Sequence, residues 1–223
     1  DIRGLSVTIP HKEAVLARLT WADDAARGIG AASTVIFDEA ERRGYNTDCQ
    51  AAMDSLDAAL GSEPGGSLEG KTALVLGAGG AGKALSYGLL KRGAKVVVSD
   101  GIHERAQELA ERFGCRAVEW ALRHSVNAQI LVNCTPVGMH PNVDETPFEK
   151  HYLRPATVVF DAVYNPENTL LVKSARQRNC KVVTGVEMFV RQACLQFKLF
   201  TGQEGPAEVM RQTLKRATAA VKL

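Results

Sequence analysis

The plainest chemical signal in this chain of 223 residues is a run of four glycines and two alanines, Gly77-Ala78-Gly79-Gly80-Ala81-Gly82. It follows the apolar run Thr72 to Leu76 and precedes a stretch of helical periodicity from about Ala81 to Arg92. Read as G-x-G-x-x-G, Gly77 makes a tight turn, Gly79 lets backbone approach a pyrophosphate, and Gly82 lets helix and strand pack closely. The helix start then turns free N–H groups and a positive dipole end toward the phosphates. The next strand ends in Asp100, which adds an acidic residue where such a site needs one. The pattern therefore predicts a dinucleotide site in preference to a bare strand-to-helix turn. A carboxylate at Asp100 can accept from the ribose hydroxyls of NAD, whereas the 2′-phosphate of NADP would meet like charge. NAD is the favoured cofactor. NADP stays open because Arg105 lies within reach, and Asp100 could instead only cap the following helix.

These residues need a scaffold, and the sequence supplies one. Short apolar runs at Thr72–Leu76, Lys95–Ser99, Arg116–Val118, Ile130–Asn133, Thr157–Phe160 and Lys181–Val183 alternate with helical stretches. Continuous Val/Ile/Leu runs of this kind are strands buried on both faces, so the fold class is α/β, a doubly wound parallel sheet with helices on each side. Before it, Leu5 to Ile9 reads as a strand stopped by Pro10, a helix-like stretch follows from Lys12, and Thr34 to Phe37 reads as a second strand. A helix is expected from about Cys49 to Leu60, capped by Asp48 or Thr47. Gly61 to Ser67 has the composition of a flexible connection. The expected division is residues 1–60 as part of one domain, 67–185 as the dinucleotide-binding domain, and helices over 186–223 packing back on the first.

Charge and composition narrow the function classes. Lys and Arg number 27 against 25 Asp and Glu, a net charge of +2 that argues against a nucleic-acid binder. With 45% hydrophobic and 23% charged residues, the chain is globular, and disorder, collagen and disulfide-scaffold classes drop out. No run approaches the roughly 18 apolar residues of a membrane helix, and no signal peptide opens the chain, so a cytosolic setting is expected. Five dispersed cysteines form no C-x-x-C pair and read as reduced core residues, and the five histidines lack metal spacing, so no metal is expected.

Seven stretches together resemble the shikimate dehydrogenase family, including quinate/shikimate dehydrogenases and the dehydrogenase part of bifunctional dehydroquinate dehydratase enzymes. They are Gly4–Lys12, Ile29–Val35, Gly44–Asp48, the glycine turn, Asn133–Met139, Asp161–Pro166 and Gly185–Ala193, in the family's order. The resemblance implies reversible reduction of 3-dehydroshikimate to shikimate with a nicotinamide cofactor, with quinate as an alternative substrate. It implies Lys12 and Asp48 as the catalytic pair: hydride delivery to a ketone builds alkoxide charge, which needs a cation and a proton source beside the oxygen. By the same resemblance, Asn46, Ser33, Gln192 and Tyr164 contact substrate, while Thr135 and Met188 lie near the nicotinamide. A homodimer is compatible with it.

Three departures qualify the resemblance. The family's N-terminal portion, with a Ser-x-Ser motif that holds the substrate carboxylate, is not in this chain, so the substrate domain is expected to be N-terminally incomplete and turnover weak. A non-catalytic dinucleotide-sensing module is the rival from another class. Ser33 replaces the family's asparagine, offering one donor where an amide offers two, which keeps quinate open. Finally, Asp100-Gly101-Ile102 replaces an NADP-reading Asn-Arg-Thr, which again favours NAD.

Overall fold

The computed structural model describes residues 2–8, 10–61 and 67–219. The chain opens with a small sheet. Strand β1 (Gly4–Ser6) is shorter than the expected Leu5 to Ile9; Val7 and Thr8 are not in the strand and Ile9 lies outside the described residues. The segment after Lys12 forms only a 3-10 turn over Ala14–Arg18, not a full helix. Next come β2 (Trp21–Ala22), α1 (Asp24–Ile29), β3 (Thr34–Asp38) and β4 (Glu41–Tyr45), none of them foreseen except β3. The order is β1-β3-β4-β2, with β1 and β4 antiparallel to β3 and β2 parallel to β4. β4 opens with the charged Glu41-Arg42-Arg43, the first two exposed and the third half-buried, so no alternating apolar signal marks it.

Helix α2 (Thr47–Leu60) leads out of this sheet. Residues 62–66, the core of the expected connection, lie outside the described residues. A larger sheet follows: β5 (Thr72–Leu76), α3 (Gly80–Lys91), β6 (Lys95–Ser99), α4 (His103–Phe113), β7 (Arg116–Ala117), β8 (Ile130–Asn133), β9 (Val158–Asp161), α5 (Leu170–Gln177) and β10 (Lys181–Val183). Two helices end the described chain, α6 (Gly185–Thr201) and α7 (Ala207–Ala219); the expected last residues 220 and 221 lie outside the described ones.

The large sheet is parallel throughout, in the order β10-β9-β8-β5-β6-β7. From β5 the chain steps outward one way through β6 and β7, then returns to β8 on the other side, so the strand order reverses between β5 and β8. Ligands of open parallel sheets sit at the carboxyl ends of the strands at that reversal. Alternation along β5 fills both faces: Ala73 and Val75 join the core formed with α3 and α4, while Leu74 and Leu76 join the one under α5. The burial of these aliphatic side chains is the main stabilising term, about 25 cal/mol per Å2 of apolar surface removed from water.

α2 ties the two sheets together. Its first turn is bonded to the small sheet, described below. Its later residues Ala52, Met53, Leu56 and Leu60 are buried in one cluster with Leu85 and Leu89 of α3. A methyl group on Gly88 of α3 would come within 2.8 Å of the Met53 side chain, so α2 and α3 approach closely there. No helix among the described residues is long and apolar enough to cross a membrane.

Candidate active site

β4 runs straight into α2, and the turn between them places the acid. The capping residue is Asn46, not the expected Asp48 or Thr47: its Oδ1 accepts from the Cys49 N–H at 3.0 Å, and its Nδ2 donates to the Ala31 carbonyl at 2.9 Å. Ser33, on the segment leading into β3, accepts the Thr47 N–H at 2.9 Å through its Oγ. With those helix-start donors satisfied, the Asp48 carboxylate is left free in the first turn, where the helix dipole favours negative charge. Lys12 Nζ donates to Asp48 Oδ2 at 2.6 Å. The Lys12 carbonyl accepts from Ala32 N at 2.9 Å, fixing this loop to the small sheet. Exposure of the two side chains is 22% for Lys12 and 9% for Asp48, so the ammonium still reaches solvent while the carboxylate is nearly enclosed.

Two expected substrate contacts, Asn46 and Ser33, are buried beneath the cleft with their side chains engaged in holding α2. Ser33 Oγ and Thr34 Oγ1 both contact Thr47 Oγ1, at 2.9 and 3.0 Å. Gln196 Nε2 completes this network, donating to Ser6 Oγ, the Ser33 carbonyl and Thr34 Oγ1 at 3.0 to 3.2 Å. A cavity of about 350 Å3 opens above it, lined by Lys12, Asp48, Tyr164, Met188, Gln192 and Gln196 among others. Thr8 and Gln196 line it without having been singled out from sequence. The available signals were the place of Thr8 in the Gly4–Lys12 stretch and the four-residue spacing of Gln196 from Gln192, which stacks both on one helix face.

The glycine turn behaves as its spacing suggests. Gly77 has φ +98°, and its N–H donates to the Ser99 carbonyl at 2.7 Å. A Cβ on Gly82 would lie 1.9 Å from the Gly77 carbonyl oxygen, whereas nothing stands within 4 Å of a Cβ on Gly79 or Gly80. The turn is therefore closed inside and open outside. α3 starts at Gly80 with no side-chain cap, which leaves its first N–H groups facing that open space, a site suited to phosphate. Asp100 accepts from the Ala78 N–H through Oδ2 at 2.7 Å and from the Ile102 N–H through Oδ1 at 2.8 Å. It thus braces the turn and the following loop, and its remaining lone pairs and its charge still face the cleft it lines.

A second cavity, of about 760 Å3, runs from Asp100 past Gly79 to Thr135 and Tyr164. Ala81, Ala162 and Tyr164 border both cavities, so the two adjoin. Thr135 is fixed by Asn133, whose Oδ1 accepts from both the Thr135 N–H (3.0 Å) and its hydroxyl (2.6 Å). Asn133 also donates to Asp161 Oδ1 at 3.0 Å, and Asp161 accepts from the Val163 N–H (3.0 Å) and from the Thr169 hydroxyl (2.6 Å). Burial pushes the Asp161 carboxyl up despite these bonds. Met188 lines only the Lys12 side, and Tyr164 rests on Phe189 with ring centroids 4.8 Å apart.

All five cysteines are free; Cys49 is buried, its thiol pushed up to about 12 by burial, and of the four half-buried ones Cys115, Cys134 and Cys180 pack against the hydrophobic core while Cys194 does not. Burial raises the Cys134 thiol too. Among the described residues no group of three His, Cys, Asp or Glu could hold a metal ion.

Comparison with known proteins places the chain in one family. Residues 1–35 match the shikimate dehydrogenase substrate binding domain, 185–215 the shikimate 5′-dehydrogenase C-terminal domain, and 72–163 the coenzyme F420-dependent NADP oxidoreductase family. The bifunctional chloroplastic 3-dehydroquinate dehydratase/shikimate dehydrogenase of Arabidopsis thaliana is 42% identical over 229 residues, which take in 97% of this chain and 38% of that protein. A shikimate 5-dehydrogenase from Thermus thermophilus, solved with NADP(H) and shikimate, is 37% identical with TM-score 0.84, covering 97% of this chain and 79% of that one. A quinate dehydrogenase from Corynebacterium glutamicum, solved with NAD, is 33% identical with TM-score 0.87, covering 96% and 78%.

Proposed function

Because the chain belongs to the shikimate dehydrogenase family, we propose that it interconverts 3-dehydroshikimate and shikimate with a nicotinamide cofactor. The observation that carries this reading is the Lys12–Asp48 pair in a cavity that adjoins the one over the glycine turn. The turn fits a dinucleotide: Gly79 and Gly80 leave an open cradle beside unbonded helix N–H groups. Bound there, the cofactor supplies the hydride in the reducing direction and takes it back in the other.

The remaining chemistry belongs to the chain. As the carbonyl carbon gains the hydride, negative charge grows on its oxygen, and the Lys12 ammonium stabilises that charge and gives the oxygen its proton. In the oxidising direction the Lys12 amine takes the hydroxyl proton. Asp48 holds Nζ in one place through the 2.6 Å bond. Partial exposure of Lys12 lets it exchange protons with water between turnovers. Gln192 both donates to and accepts from ring hydroxyls, and Tyr164, at the junction of the cavities, borders substrate and nicotinamide together. In this arrangement Asn46 and Ser33 act through α2, by aiming Asp48.

Asp100 supports NAD over NADP, since its charge lines the cleft where a 2′-phosphate would come. That same preference, with the likeness to an NAD-bound quinate dehydrogenase, supports NAD-dependent oxidation of quinate as the second reading. Steady-state assays with shikimate and quinate, each against NAD and NADP, test both. Shikimate with NAD is expected to give the highest kcat/KM. Faster turnover of quinate selects the second reading, and cofactor binding without turnover of either substrate selects a non-catalytic dinucleotide module.

A further inference from the structure

Beyond β7 the chain makes a 3-10 turn, Trp120–Ser125, and its first side chain has no part in the chemistry above. Trp120 lines the larger cavity at the Asp100 and Gly101 end, away from Thr135 and Tyr164. Its position follows from the sheet: the Val118 N–H donates to the Val98 carbonyl at 2.9 Å, which carries the β6–β7 pairing on toward Trp120 and sets it beside the end of β6. The indole is half-buried and packs against the core under α5. The Arg123 guanidinium carbon lies 4.3 Å from the ring centroid. That guanidinium is itself locked, donating to the carbonyls of Pro147 (2.8 Å) and Trp120 (2.7 Å) and reaching Glu149 at 3.4 Å. The ring is thus clamped by cation and core, with its remaining surface at the cavity wall.

Resting on the dinucleotide reading of the same cleft, we propose that Trp120 is the stacking platform for the adenine base of the cofactor. With pyrophosphate at Gly79–Gly80 and ribose at Asp100, the base must continue past β6 toward the sheet edge, which is where Trp120 stands. Gly101 leaves this approach open, with nothing within 4 Å of an added Cβ. A ring already immobilised by Arg123 loses little freedom on binding, so stacking is not offset by ordering. Stacking reads the face of a base, not its edge, and base–aromatic contacts of this kind carry much of nucleotide affinity.

The test uses fragments of the cofactor. Trp21 and Trp120 are the only tryptophans, so in a Trp21→Phe background Trp120 reports alone. Titration with ADP is expected to quench its emission, and nicotinamide mononucleotide to leave it unchanged. By calorimetry, Trp120→Leu should weaken ADP and NAD by about 5- to 150-fold while Trp120→Phe stays close to wild type. Affinity for nicotinamide mononucleotide should not move, and KM for NAD should rise with kcat at saturation preserved. Wild-type affinity for ADP in Trp120→Leu, or emission unmoved by ADP that binds, overturns the assignment and leaves the dinucleotide reading intact. Equal loss of ADP and nicotinamide mononucleotide also overturns it, as damage to the fold. If the unaltered protein binds neither ADP nor NAD, the cofactor reading falls first and takes this one with it.

Discussion

Replacing Lys12 by Ala, Asp48 by Asn, and both together gives the sharpest access to the mechanism. Nζ and Oδ2 are 2.6 Å apart, a separation at which unit charges attract by about 1.6 kcal/mol in water and about 6 kcal/mol at an effective dielectric near 20. The carboxylate is 9% exposed and the ammonium 22%, so the environment lies between these limits. Desolvation and the ordering of a long lysine offset much of the attraction, leaving an expected coupling of about 1 to 3 kcal/mol in a double-mutant cycle read by urea unfolding. Turnover is a separate matter. Loss of a positioned proton donor costs about 100- to 10,000-fold in kcat, and Asp48→Asn should lower kcat through the same group. Because the two act as a unit, the double variant should be slower than the worse single one by only a small further factor. Steady-state rates of shikimate oxidation at saturating cofactor measure this. A Lys12→Ala variant that keeps wild-type turnover, or single effects that multiply in the double variant, would refute the pairing.

Three further outcomes are expected. Gly82→Ala puts a methyl group 1.9 Å from the Gly77 carbonyl, so it should destabilise the protein by about 1 to 3 kcal/mol and abolish cofactor binding in calorimetry; ordinary affinity would contradict the closed turn. Asp100→Asn removes charge and keeps shape, and should raise the NADP-to-NAD ratio of kcat/KM by about tenfold, worth about 1.4 kcal/mol, whereas an unmoved ratio denies Asp100 a role in cofactor choice. Asp161 has its folded value raised above 3.8, chiefly by burial. The folded state therefore holds this proton more tightly than the unfolded chain does, and the stabilising contribution is full below 3.8 and fades as pH rises through the raised value. Measured by urea unfolding, the stability of wild type relative to Asp161→Asn should fall as pH rises across that window, and a constant difference would count against it.

How much of this was legible in the sequence depended on which signal each element carried. The four inner strands of the large sheet, β5, β6, β8 and β9, are buried on both faces, so their Val and Leu runs announce them, whereas β7 and β10 at its edges are short and only partly buried. β4 has a charged Glu41-Arg42-Arg43, the first two exposed, and is held by pairing with β3, which no local pattern records. The helix after β4 was expected two residues late, because Asn46 caps it from a position where Asp48 and Thr47 looked as suitable. Lys12 was visible only through the resemblance of its stretch; nothing local separates it from a surface lysine, since its partner is 36 residues away. The substrate side is harder to read from local sequence than the cofactor side for the same reason. A glycine turn is written in consecutive residues, whereas the inward burial of Ser33 and the reach of Gln196 across 163 residues to the Ser33 carbonyl are products of packing.

The double anchorage of α2 bears on how this enzyme could be altered. One end of the helix is stitched to the small sheet by Asn46 and Ser33, and the other is sunk among the leucines of α3. It works as a splint that ties the wall carrying the acid to the wall carrying the nucleotide turn. Changes meant to widen the substrate range therefore belong around Gln192 on the cleft face of α6, because Gln196 is tied into the network beneath α2 and a change in the first turn of α2 disturbs the acid it carries.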